Sequence, residues 1–154
     1  MANIGVVTNH RQVFNQTAKL VFESFESTDI TFALISKHGS CTANKPDIFV
    51  KIFNRRNLLE AVCARIDDGD EPVMICVDDS LVVASGLSTG GDSGYIIMIL
   101  PGYSPEKAAE CTEFIEVILN QISLLAQQVE CNIESSCFDG LAYDCQLPTG
   151  PALN

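Results

Sequence analysis

The sequence predicts an α+β fold in which helices cover the faces of a single, mostly antiparallel sheet of five or six strands. Short β-branched and aromatic runs, separated by turn residues, recur between residues 30 and 100 at the length of strands. Amphipathic helical patterns precede and follow these runs. Residues 95–100, YIIMIL, are apolar at every position, which is typical of a central strand covered on both faces.

The longest predicted element is a C-terminal helix over residues 104–131. Ser104 can cap its first turn, and Pro105 occupies the first helical position, where a missing N–H costs nothing. Six apolar residues follow at steps of four and three, which places them on one stripe: Cys111, Ile115, Ile118, Ile122, Leu125 and Val129. Further apolar residues lie outside this stripe, so we expect that one sheet cannot cover the whole helix.

The length of this helix predicts a homodimer. A helix over residues 104–131 spans roughly 40 Å, whereas a six-residue strand spans roughly 20 Å, so part of the helix would extend past its own sheet. We expect a second copy to cover the excess, through an interface of Ile115, Ile118, Ile122, Leu125 and Val129. The alternative is a long helix that is buried within one chain.

The remaining elements follow from local patterns and turn residues. Helices are predicted over residues 9–27 and 58–66, and strands over residues 30–36, 47–53, 72–77, 81–85 and 95–100. The first two strands form a hairpin, and residues 88–94 read as a loop because of their glycines and serines. Apolar periodicity ends after Cys131, so we predict one domain over residues 1–131 and a tail or linker over residues 132–154.

The charge balance argues against several classes of partner. Nine basic residues stand against twenty acidic ones, giving a net charge of −11. Nucleic acids and anionic membrane surfaces both attract basic proteins, so we expect neither as a partner. No run reaches the length of a spanning helix and no basic run precedes the first apolar segment, so we expect a cytoplasmic protein.

The cysteines and histidines indicate no obvious metal or disulfide framework. Seven cysteines form no CxxC pair, and the two histidines have no ligand at zinc spacing. We expect the cysteines to be reduced, with Cys63 and Cys76 buried as small apolar residues.

Two segments and the order of elements carry a family resemblance. The segments are AVCARIDDGDEPVMICVDD at residues 61–79 and GYIIMILPGYSPEKAAECTEFIEVILNQISLLAQ at residues 94–127. Over residues 10–131 the chain resembles the GAF domain family, a small sensor fold with a profilin-like sheet. The resemblance implies a signalling module that binds a small molecule on one sheet face and dimerises through terminal helices. The NKxxD signature of cyclic-nucleotide-binding members is absent, so ligand and cofactor are unassigned.

The predicted ligand site lies on the sheet face away from the long helix. Arginine side chains can bind a carboxylate or phosphate, and phenylalanines can wall a pocket. The candidates are Phe49, Phe53, Arg55 and Arg56, with Asp78, Ser85 and Thr89 as further positions. The alternative is that both arginines only form surface ion pairs with Asp67, Asp68, Asp70 or Glu71.

Two other functions are alternatives to the sensor. The chain also resembles type III secretion chaperones, small acidic homodimers that bind a polypeptide, but three predicted strands precede its last helix where those chaperones have two. Some GAF-like proteins reduce free methionine sulfoxide with cysteines. Their cysteine spacing is not reproduced by Cys63 and Cys76, and an apolar setting disfavours a thiolate. We therefore predict a non-catalytic module.

Overall fold

A computed structural model describes the backbone of residues 2–55, 57–89 and 92–145, and the side chains of residues 13–55, 57–88 and 93–132. The elements are α1 (Ala2–Ser24), β1 (Thr31–Ser36), β2 (Cys41–Ala43), α2 (Pro46–Phe53), α3 (Leu58–Asp67), β3 (Val73–Val77), β4 (Ser80–Thr89), β5 (Asp92–Pro101), α4 (Pro105–Glu110) and α5 (Thr112–Cys145). The strands form one sheet in the order β2-β1-β5-β4-β3, and every neighbouring pair is antiparallel. The predicted α+β class with a five-stranded antiparallel sheet is confirmed.

Each face of the sheet carries its own apolar cluster. On one face, α1 and α5 pack against side chains that include Phe32, Val83 and Met98. On the other face, α2 and α3 pack against a second cluster that includes Val82 and Ile97. The central strand β5 contributes alternate residues to both clusters, which explains its unbroken apolar sequence.

The long helix begins as predicted, but it is interrupted once and ends later. Ser104 Oγ accepts a hydrogen bond from the Lys107 N–H, and Pro105 is the first helical residue. The helix breaks at Cys111, which separates α4 from α5. No proline occurs between Pro105 and residue 148, so nothing in the backbone chemistry stops α5 at the predicted position 131. The helix continues to Cys145, and the remainder of the predicted tail lies outside the described residues.

One predicted strand, residues 47–53, is wrong, because this segment forms helix α2. Pro46 starts the helix, and Phe49, Ile52 and Phe53 recur at helical spacing toward the second apolar cluster. The strand that pairs with β1 is the shorter β2. Helix α1 also begins earlier than predicted, at Ala2.

The predicted loop at residues 88–94 is mostly strand, because β4 and β5 extend toward each other into a long hairpin. Gly94 lies opposite Ser36 of β1, where a side-chain Cβ would overlap the Ile35 carbonyl oxygen. This glycine therefore permits a close backbone approach inside the sheet and does not mark a loop. None of the described helices is long and apolar enough to cross a lipid bilayer.

Candidate functional site

Two of the predicted ligand residues, Arg55 and Asp78, form an ion pair with each other. The Arg55 guanidinium donates to Asp78 Oδ1 at 2.7 Å and to the Ile52 carbonyl oxygen at 3.3 Å. The two charged side chains are 46% and 55% exposed, so the ion pair stabilises the fold by about 1 kcal/mol at most. Arg55 thus forms a surface ion pair, with a different acid from those that the sequence suggested. Arg56 lies outside the described residues.

The other predicted ligand residues do not gather around this pair. The rings of Phe49 and Phe53 lie 4.9 Å apart and pack against the α2 and α3 cluster. Ser85 lies on the opposite face of β4 from the two phenylalanines, because it is two residues from both Val83 and Leu87, which face α5. Asp78 lies in the turn before β4 and Thr89 is the last residue of β4, roughly 30 Å away at the rise of a strand, and the Thr89 side chain is not described.

The predicted dimer interface is largely core. Ile115, Ile118, Ile122 and Val129 are buried within a single chain, and Leu125 is partly buried against the same cluster. This apolar stripe packs against the sheet and α1, as the alternative interpretation expected. Among the side chains of α5 that the structure describes, the large apolar ones that are exposed are Phe114, Val117 and Leu124, at 50%, 61% and 58%.

A different feature stands out at the β3 edge of the sheet, where β4 is twice as long as its neighbour. Strand β3 pairs with the first half of β4 only, from Ser80 to Ala84. Strand β5 pairs with β4 along its whole length. Residues 85–89, which we call the open half of β4, therefore have no described strand on their outer side.

Glu71 lies against this open edge. Its Oε1 accepts hydrogen bonds from the Gly86 N–H at 2.8 Å and from Ser85 Oγ–H at 2.7 Å. A Cβ at position 86 would lie 3.2 Å from the same oxygen, so glycine leaves room for the carboxylate. Glu71 thus provides the acceptor that a neighbouring strand would otherwise supply to the Gly86 N–H.

Two clefts flank the open half of β4, one on each face of the sheet. The first, about 390 Å³, lies between the edge and α5 and includes Ser85, Glu116, Leu119 and Asn120; we call it the α5-side cleft. The second, about 350 Å³, includes Asp67, Ser88 and Tyr95 and is called the α3-side cleft. Glu71 and Gly86 line both clefts, so the two are joined at the sheet edge.

The α3-side cleft contains a buried tyrosine paired with a carboxylate. Tyr95 Oη–H donates to Asp67, whose two oxygens lie 2.9 and 3.0 Å away, and Lys37 Nζ is 3.6 Å from Asp67 Oδ1. Burial, together with the bond to Asp67 and the charge of that residue, raises the pKa of Tyr95 to about 12. Burial and the charge of Asp67 also raise the pKa of Cys63, which disfavours its thiolate.

Tyr95 should make stability depend on alkaline pH. Its pKa is higher in the folded state, about 12, than the ordinary value of 10.0, so its stabilising effect is full below pH 10 and is lost as pH rises through 12. Tyr95→Phe removes this group and the hydrogen bond, and should cost about 1 kcal/mol at neutral pH. In urea unfolding, the difference between the wild type and Tyr95→Phe should shrink from about pH 9 to about pH 11. A constant difference would contradict the pKa assignment.

Sequence reasoning missed the cleft residues and misjudged one cysteine. Glu116, Asn120 and Ser123 recur at positions i, i+4 and i+7 of α5, a polar stripe that a search for apolar stripes passes over. Cys76 is exposed, not buried as predicted, because β3 is an edge strand and not an inner one. Among the side chains that the structure describes, no three His, Cys, Asp or Glu residues are placed to hold a metal ion.

Comparison of the chain with known protein families, with curated proteins and with solved structures gives no match.

Proposed function

We propose that this chain is a non-catalytic, cytoplasmic signalling module that acts as a homodimer joined along β3 and binds a further molecule. The observation that carries the dimer is the sequence of β3, VMICV, which contains no charge and no proline although the strand lies at the sheet edge. Monomeric proteins usually protect such an edge with lysine, proline, a bulge or a covering segment, because its free backbone groups pair readily with another strand.

The geometry of the β3–β4 hairpin supports this proposal. Val77 pairs with Ser80 across a two-residue turn, so Val73, Ile75 and Val77 direct their backbone groups toward β4. By alternation, Met74 and Cys76 direct theirs outward. Two antiparallel copies of β3 around a twofold axis would satisfy these groups and extend the sheet to ten strands.

The interface differs from the helical one that the sequence predicted. Four of the five residues of that predicted interface are buried within one chain and the fifth, Leu125, is partly buried, so they have little surface to offer a second copy. The exposed residues Phe114, Val117 and Leu124 remain apolar surface that a dimer or another partner can cover.

For the binding role, the geometry favours a polypeptide over the small molecule that the GAF resemblance implies. Small-molecule sites normally enclose about 70–90% of the ligand surface. Both sheet faces here are filled by apolar clusters, and the two clefts beside β4 are open and mostly polar. An extended polypeptide needs no enclosure, because it binds through backbone hydrogen bonds and alternate side chains.

The dimer is tested by placing a charge on the β3 edge. Light scattering at micromolar concentration should give twice the chain mass of 16.7 kDa for the wild type. Cys76→Lys should give a folded monomer, because lysine on an edge strand opposes pairing. Cys131→Lys is the matched control, since Cys131 is also exposed but lies on α5, and it should remain dimeric. A monomeric wild type, or equal effects of the two substitutions, would contradict the proposed interface.

A further inference from the structure

The open half of β4 offers backbone hydrogen bonds to another chain. Gly86 directs its N–H outward, since this group donates to Glu71 and not to β5. The alternation of a strand directs the Ser88 N–H to the same side. In this fold, the carboxylate of Glu71 is the only described group that takes the place of a neighbouring strand along residues 85–88.

The two clefts match the geometry of an added strand. Successive side chains of an extended segment point to opposite faces of the sheet. The α5-side and α3-side clefts lie on opposite faces of the same edge and meet at Glu71 and Gly86. A segment lying beside the open half of β4 would therefore place alternate side chains in the two clefts.

The charge of the α5-side cleft indicates which side chains fit there. Glu71 and Glu116 are its charged lining residues, and neither forms an ion pair with a basic side chain among the described residues. In the α3-side cleft, by contrast, Lys37 lies beside Asp67. Lysine or arginine side chains entering the α5-side cleft would bring the missing opposite charge, and apolar Leu119 and Pro72 can contact their methylene stems.

We propose that an extended basic segment of a partner protein binds as a sixth strand along the open half of β4. Its backbone carbonyl takes over the Gly86 N–H from Glu71, and its alternate Lys or Arg side chains enter the α5-side cleft near Glu71 and Glu116. This inference rests on the binding role proposed above and does not depend on the β3 dimer, because it uses a different part of the edge.

The test is a selection of random twelve-residue peptides displayed on phage against the immobilised full chain. Enriched peptides should carry Lys or Arg at alternate positions. Their synthetic forms, labelled with fluorescein, should bind about tenfold more weakly to Glu116→Lys, which reverses a cleft charge on an exposed helix position. Glu113→Lys is the matched control, because Glu113 is an exposed α5 residue that does not line the cleft, and it should bind as the wild type does.

A second variant tests the strand pairing itself. Ser88→Pro removes an outward N–H without removing a bond to β5, so it should keep the fold by circular dichroism and lose peptide binding. The proposal is overturned if no peptide is enriched, if enriched peptides lack basic residues, or if Glu113→Lys weakens binding as much as Glu116→Lys. Light scattering of the same samples separates the two proposals. If basic peptides bind to a monomeric chain, the dimer proposal is contradicted and the peptide-binding proposal stands.

Discussion

Gly94→Ala is expected to destabilise the protein by about 3 kcal/mol or more. Gly94 lies in β5 opposite Ser36, and a Cβ there would overlap the Ile35 carbonyl oxygen and lie 3.1 Å from the Ser36 Cα. Both neighbours are backbone atoms of β1, so relief requires the strands to separate. Because β1 and β2 join the rest of the sheet only through β5, separating β1 from β5 would detach both strands from the sheet. Urea unfolding followed by circular dichroism measures the change.

Gly39→Ala is the matched control. Gly39 has φ +96° but no atom within 4 Å of its Cβ position, so alanine there strains the backbone without a clash. That strain should cost about 1–2 kcal/mol. A Gly94→Ala protein no less stable than Gly39→Ala would show that β1 and β5 do not approach each other as closely as described.

Ile122→Glu is expected to cost about 4 kcal/mol or more, which is most of the stability of a domain at the lower end of the usual range of about 5–15 kcal/mol. Ile122 is 1% exposed in the cluster between α5 and the sheet, and a carboxylate there would be buried with no basic partner among the described side chains. If α5 formed the dimer interface that the sequence predicts, the same substitution should instead give a folded monomer, because the charge would lie between two chains. Circular dichroism and light scattering on one sample distinguish an unfolded chain from a folded monomer.

Leu124→Glu provides the comparison on the same helix. Leu124 is 58% exposed, so glutamate at this position should change the free energy of unfolding by no more than about 0.5 kcal/mol. If Leu124→Glu instead dissociates a dimer, the exposed side of α5 belongs to the interface and β3 is not its sole component.

The elements predicted best are those whose apolar pattern agrees with their burial. Residues 95–100 form the centre of β5 because both faces of that strand are covered. The stripe from Ile115 to Val129 was identified correctly as a packing surface. What covers it could not be predicted, because a stripe has the same sequence whether it packs on its own sheet or on a second copy.

The wrong secondary-structure predictions lie where one local sequence pattern is compatible with two structures. Residues 47–53, DIFVKIF, alternate loosely enough for a strand, and only the proline before them favours the helix that forms. The glycines and serines of residues 88–94 read as a loop, although Gly94 serves the close approach of two strands. The candidate site was missed because it depends on the length difference between β3 and β4, which strand pairing alone determines.

The two apolar clusters have a consequence for how a movement on one face of the sheet can reach the other face. Helices α1 and α5 pack in one cluster, α2 and α3 in the other, and the sheet lies between them. A movement of α3 can therefore reach α5 only through the strand backbones or around the edge of the sheet. At that edge Glu71 lines the clefts on both faces, so the same carboxylate lies beside the α5 layer and beside the α3 layer.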